Sequence, residues 1–139
     1  MGHDVHIHVC FACSANDKVA ALAARHLPAV SECREATWFL EELAKRRGIN
    51  PGPKGGLSLW GMVGNYTEEQ QFIDILRPFW YDLLSGVPGG PLDFERVLVF
   101  VEHEQNEQAL AFEIYLEPGD DLVRLAVRRH ECPFSWRQF

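Results

Sequence analysis

Residues 109–127, "ALAFEIYLEPGDDLVRLAV", place Leu110, Phe112, Ile114 and Leu116 on one parity of an alternating run. Alternation with period two marks a β-strand that buries one face. The turn residues Pro-Gly-Asp-Asp follow, and Val123, Leu125 and Val127 then resume the pattern as a second strand. If Glu117 pairs with Leu122 across this turn, Tyr115 faces Arg124 and Ala109 faces His130. Upstream, residues 96–103 are apolar on both parities, as in a central strand, and the polar turn "EQNEQ" joins them to the hairpin. The last third of the chain therefore reads as an antiparallel meander.

Further upstream the pattern changes. Residues 5–11 alternate again, with Val5, Ile7, Val9 and Phe11 on the oily side and His6, His8 and Cys10 on the other. An Ala-rich helix follows, capped by Asn16 or Asp17 and stopped by Pro28. A second helix starts near Ser31 and ends at Arg47, before Gly48. Residues 50–56, "NPGPKGG", form a turn-rich connector, and residues 57–63 a short strand. Thr67 and Gln70 have capping-box spacing and open a third helix, which Pro78 is expected to kink. The order β-α-α-β-α-β-β-β indicates an α+β fold. Its expected form is a single-layer, mostly antiparallel five-stranded sheet with three helices packed on one face. Residues 1–139 read as one compact domain, with 133–139 as a C-terminal docking tail.

The composition narrows the function classes. Of 139 residues, 47% are apolar and 24% charged, the balance of an ordinary globular chain. The net charge of −7 and the lack of a long basic run argue against nucleic acid as a partner. No stretch approaches the roughly 20 apolar residues of a membrane span, and no basic segment precedes an apolar leader. The four cysteines, Cys10, Cys13, Cys33 and Cys132, are too few for a small disulfide framework, so the expectation is reduced thiols and a cytoplasmic location.

The richest stretch for chemistry is "HDVHIHVCFAC", residues 3–13. Strand geometry sets His6, His8 and Cys10 about 6.6–6.8 Å apart on one face, so one adjacent pair could bracket an ion. His130 and Cys132 repeat that spacing near the chain end, and His103 closes the first meander strand. A metal site of His6, His8, Cys10, His130 and Cys132 would form if the first and last strands were neighbours. No cofactor is expected otherwise; zinc is the metal that such a mixed set would take. "DVHIH" resembles the Asp-x-His-x-His opening of barrel-fold metal-dependent hydrolases. The likeness spans five residues, and 139 residues fall far short of the roughly 250 of such a barrel.

Cys10 and Cys13 form a Cys-x-x-Cys between strand and helix, the order of a thiol oxidoreductase motif. The better helix caps lie beyond Cys13, which leaves Cys10 in the strand, away from the helix dipole. Residues 56–60 miss the nucleophile elbow because Trp60 replaces its closing glycine, and "GPKGG" lacks the Gly-Lys-Ser/Thr of a phosphate cradle. No catalytic set emerges. Aromatic residues make up 12% of the chain, and the third helix has more apolar circumference than one sheet face needs. Phe79 and Trp80, with Trp136 and Phe139 of the tail, are candidate interface residues. These features favour a small acidic, non-enzymatic binding protein of the inhibitor or antitoxin type. Its acidic surface would steer it to a basic protein partner; self-association is the other pairing expected.

Overall fold

A computed structural model describes residues 4–11, 16–45, 49–51, 57–64, 69–85, 96–103, 110–118 and 123–131. The strands are β1 (Asp4–Phe11), β2 (Ile49–Pro51), β3 (Leu57–Gly64), β4 (Arg96–His103), β5 (Leu110–Pro118) and β6 (Val123–Glu131). The helices are α1 (Asn16–His26), α2 (Arg34–Lys45), α3 (Glu69–Ile75) and α4 (Arg77–Ser85), with a 3₁₀ turn at Leu27–Val30. The sheet order is β2-β3-β1-β4-β5-β6, and every neighbouring pair is antiparallel. The five strands expected from the sequence are all present. The three-residue β2 adds a sixth at one edge, where Pro51, which has no N–H to donate, is tolerated.

Among the described residues there are four α-helices where the sequence reading expected three. The expected third helix is divided at Leu76, two residues before Pro78. Pro78 has no N–H for the carbonyl of Asp74, and its ring crowds the preceding turn. Leu76 N–H donates to Phe72 O at 3.2 Å and Trp80 N–H to Leu76 O at 2.9 Å, spanning the break. The second helix begins at Arg34 rather than near Ser31. Cys33 N–H donates to Val30 O, and Thr37 caps the same carbonyl with its hydroxyl at 2.8 Å. The Thr67 capping box and the 133–139 tail lie outside the described residues.

The core lies between the helices and one face of the sheet. Val5, Ile7, Val9 and Phe11 are buried, and the register aligns them with Leu59 on β3 and with Val97, Val99 and Val101 on β4. Phe112 and Ile114 continue that face on β5. The helices supply stripes at helical spacing: Val19, Leu22 and Ala23 from α1, and Ala36, Phe39, Leu40 and Leu43 from α2. Phe72, Ile73, Leu76, Phe79, Trp80, Leu83 and Leu84 form one continuous stripe through α3 and α4.

That stripe corrects the interface expectation for Phe79 and Trp80. Both are fully enclosed, with Phe39 and Phe72, in an aromatic cluster whose ring centroids lie 5.2–6.0 Å apart. The apolar surface in excess of one sheet face is absorbed by neighbouring helices, since α4 packs against α1 and α3 against α2. His26 of α1 also meets Phe79 edge-on and pairs with Asp82 of α4 at 2.7 Å. Trp136 and Phe139 lie outside the described residues.

The β5–β6 register differs from the sequence expectation. Glu117 pairs with Arg124, Tyr115 with Ala126 and Ala111 with His130, a displacement of two residues. A two-residue shift preserves which side chains face the core. It changes which of them meet.

Candidate functional site

No described helix covers the second face of the sheet. Its side chains come from the even positions of β1, β3, β4 and β6 and the odd positions of β5. One row runs Trp60–His8–Phe100–Ala111–His130, and the next runs Ser58–Cys10–Leu98–Glu113–Arg128. Trp60 and Met62 are the most exposed large apolar side chains described, at 55% and 56%. They stand two residues apart on β3 and so share this face.

The neighbours of the N-terminal histidines answer the metal question in geometric terms. His6 is exposed and lies between Met62 and Glu102, while His8 is half-buried between Trp60 and Phe100. β4 and β5 stand between β1 and β6, so the neighbouring-strand condition for the expected site is not met. Three strand spacings put His130 roughly 14 Å across the sheet from β1, too far to share an ion with His6 or His8. Cys132 lies outside the described residues, as does the side chain of His103. Among the described residues, no group of three or more His, Cys, Asp or Glu side chains is arranged to hold a metal ion.

Cys10 is half-buried, and burial pushes its thiol above the ordinary range. That is the reverse of what a reactive thiolate needs. Cys13 lies outside the described residues, so the Cys-x-x-Cys pair is represented by one member. Cys33, the other described thiol, directs its Sγ at Glu35 Oε2, 3.6 Å away, and packs against the core.

The densest polar arrangement on this face was not singled out in the sequence. Glu113 of β5 is buried, its side chain only 6% exposed, yet three basic groups converge on it. Arg128 Nη1 donates to Oε1 at 3.1 Å, the His130 Nε2 lies 3.1 Å from the same oxygen, and Arg96 Nη1 donates to Oε2 at 3.4 Å. Arg128 is the direct cross-strand partner; Arg96 and His130 are the diagonal ones, from β4 and β6. Ala111, opposite His130, is small enough to leave the ring room to lean toward the carboxylate. Arg128 also lies over the Tyr115 ring, 5.0 Å from its centroid.

The hydrogen bond from His130 holds the Glu113 carboxyl below the usual glutamate range. Desolvation opposes this shift, and the charges of Arg128 and Arg96 reinforce it. A carboxylate so stabilised in its ionised form is a poor proton acceptor at neutral pH. Glu113 therefore has the character of an anchor for cations rather than that of a general base. One signal in the sequence could have revealed it. The true register sets Glu113 against Arg128 and Glu117 against Arg124, two opposite-charge pairs, whereas the expected register sets Glu113 against Ala126.

No helix among the described residues is long and apolar enough to cross a membrane. Compared with protein-family models, with curated proteins and with solved structures, the chain matches none of them.

Proposed function

We propose that this chain is a non-enzymatic binding protein of the inhibitor or antitoxin type. In this reading it docks a protein partner on the helix-free face of its sheet. The observation that carries the reading is the joint exposure of Trp60 and Met62, side by side on that face. A single exposed apolar side chain is ordinary. Two large ones together, beside His8 and His6 of β1 with the half-buried Phe100 one strand further on, form a patch of the kind that anchors protein interfaces, where tryptophan is over-represented among the costliest residues to remove.

The net charge of −7 bears on long-range encounter and favours partners of opposite overall charge. Contact itself is decided locally, by the apolar patch and by the charged groups around it.

The test is capture of an interacting protein by the wild-type chain and by the Trp60→Ala/Met62→Ala variant in extracts of the source cells. The proposal expects a discrete partner retained by the wild type and lost by the variant while circular dichroism stays unchanged. Retention of every captured protein by a folded variant would remove the basis of the reading.

A further inference from the structure

We infer that Arg96, Arg128 and His130 form a carboxylate-reading site that takes an acidic segment of the partner protein. The inference rests on the reading of this face as a docking surface and specifies the chemistry at its β4–β6 end.

A buried carboxylate needs one cation to balance it, and Glu113 has two, Arg96 and Arg128, with His130 as a third hydrogen-bonding neighbour. On the same face Glu117 stands opposite a single arginine, Arg124, in the register. The three basic side chains are not enclosed with the carboxylate they serve: Arg96 is 66% exposed, Arg128 59% and His130 51%. Each guanidinium carries five N–H donors in a fixed fork, and Glu113 engages one nitrogen of each. Arg128 also bonds Tyr115, and the guanidiniums, each more than half exposed, still present donors to solvent in a chain whose overall charge is −7.

Pre-organisation adds to the surplus. Exposed arginines ordinarily lose much rotamer freedom when they bind an anion. Here Glu113 ties both guanidiniums from below, and Tyr115 supports Arg128 from the side. Ordering is already in place, so less of the binding energy is spent on it. A buried ion pair contributes little net stability by itself, and retaining one is more readily explained by the arrangement it enforces. Two forks held on either side of β5, from β4 and β6, suit carboxylates repeated along an extended acidic peptide. Phosphate shares the chemistry of bidentate recognition, so it must be distinguished by experiment.

The experiment is an NMR titration of the full chain with hexaglutamate, hexalysine and inorganic phosphate, repeated with two variants. Hexaglutamate is expected to shift the amides of β4, β5 and β6, and hexalysine is not. Arg96→Gln/Arg128→Gln is expected to weaken hexaglutamate by about tenfold, the loss of two charge-assisted contacts. Arg25→Gln/Arg34→Gln, which removes the same charge from the helix layer, is expected to stay within about twofold. If the Gln variant fails to fold, Arg96→Lys/Arg128→Lys decides, since lysine keeps the charge and loses the fork; roughly threefold weaker binding is then expected.

Equal loss in the helix-layer variant would reduce the effect to net charge and overturn the inference. Undiminished binding in the folded β4–β6 variant would do the same. Phosphate binding as tight as hexaglutamate, with the same arginine dependence, would replace the acidic-peptide site with a phosphate site. These outcomes leave the capture dependence on Trp60 and Met62 untouched, so the two readings fail separately.

Discussion

Trp38 of α2 lays its indole against the bare Cα of Gly61 on β3, in the space that a Cβ at position 61 would occupy. Helix and sheet approach more closely here than a side chain on β3 would permit. Gly61 lies on the helix-facing side of a strand whose opposite face carries Trp60 and Met62. The strand that displays the proposed docking residues is thereby fixed from behind. Gly61→Ala forces the indole or the strand to shift, and overpacking of this kind costs about 1–3 kcal/mol. Thermal unfolding checks it, with a melting temperature several degrees below wild type expected. An unchanged melting temperature would show that α2 is not seated as described.

Trp80 sits at the centre of the aromatic cluster with its Nε1 buried and without a hydrogen-bond partner among the described residues. Leaving such a donor unsatisfied costs about 1–3 kcal/mol, which offsets part of what the ring's burial contributes. Trp80→Phe removes the donor together with some apolar area, so a net loss of about 1 kcal/mol is expected. Trp80→Ala opens a cavity and should cost about 3–5 kcal/mol. Urea denaturation of both variants separates the two effects. Equal losses would mean that the indole N–H has an acceptor.

Glu113 makes stability depend on pH with a definite sign. Its folded carboxyl titrates below the ordinary glutamate range, through the His130 hydrogen bond and then the charges of Arg128 and Arg96, against desolvation. The stabilising contribution is therefore complete above the ordinary range and is lost as pH falls through the depressed folded value. Glu113→Gln should be less stable than wild type at neutral pH, with the gap closing in acid. Denaturation curves across that span provide the measurement, and a gap that widens in acid would contradict the cluster.

Much of this was legible in the alternation of β1 and the hairpin, because a pleated strand with one dry face must alternate whatever its neighbours are. The faces assigned to His6, His8 and Cys10 follow from that alone. What could not be read was lateral order. Nothing in residues 3–13 says that β4 and β5 separate β1 from β6, and the expected metal site depended on that adjacency. The Glu113 cluster was hidden differently. Pro118 pairs with Val123 and so belongs to β5 rather than to a turn at 118–121, and the resulting two-residue displacement moves Arg128 from Ala111 to Glu113. Requiring opposite charges to face each other would have selected the right register. The division of the third helix was foreshadowed by Pro78. The close approach at Gly61 was not, since it depends on a tryptophan more than twenty positions away.

The thiol and metal alternatives have their own checks. Cys10, with its thiol pushed up by burial, should alkylate more slowly at neutral pH than an unfolded control, as followed by mass spectrometry. Faster labelling would revive a redox role. No ligand set for a metal is arranged among the described residues, and elemental analysis of untagged protein measures whether any is bound. Stoichiometric zinc would point to ligands beyond the described residues.

Site-specific photo-cross-linking in the source cells bears most directly on the claim that the helix-free face is the docking surface. A photoreactive side chain at Met62 samples that face, and one at Tyr81, 39% exposed on α4, samples the helix layer. A discrete protein adduct is expected from position 62 and none of the same partner from position 81. An adduct from position 81 alone would contradict that claim.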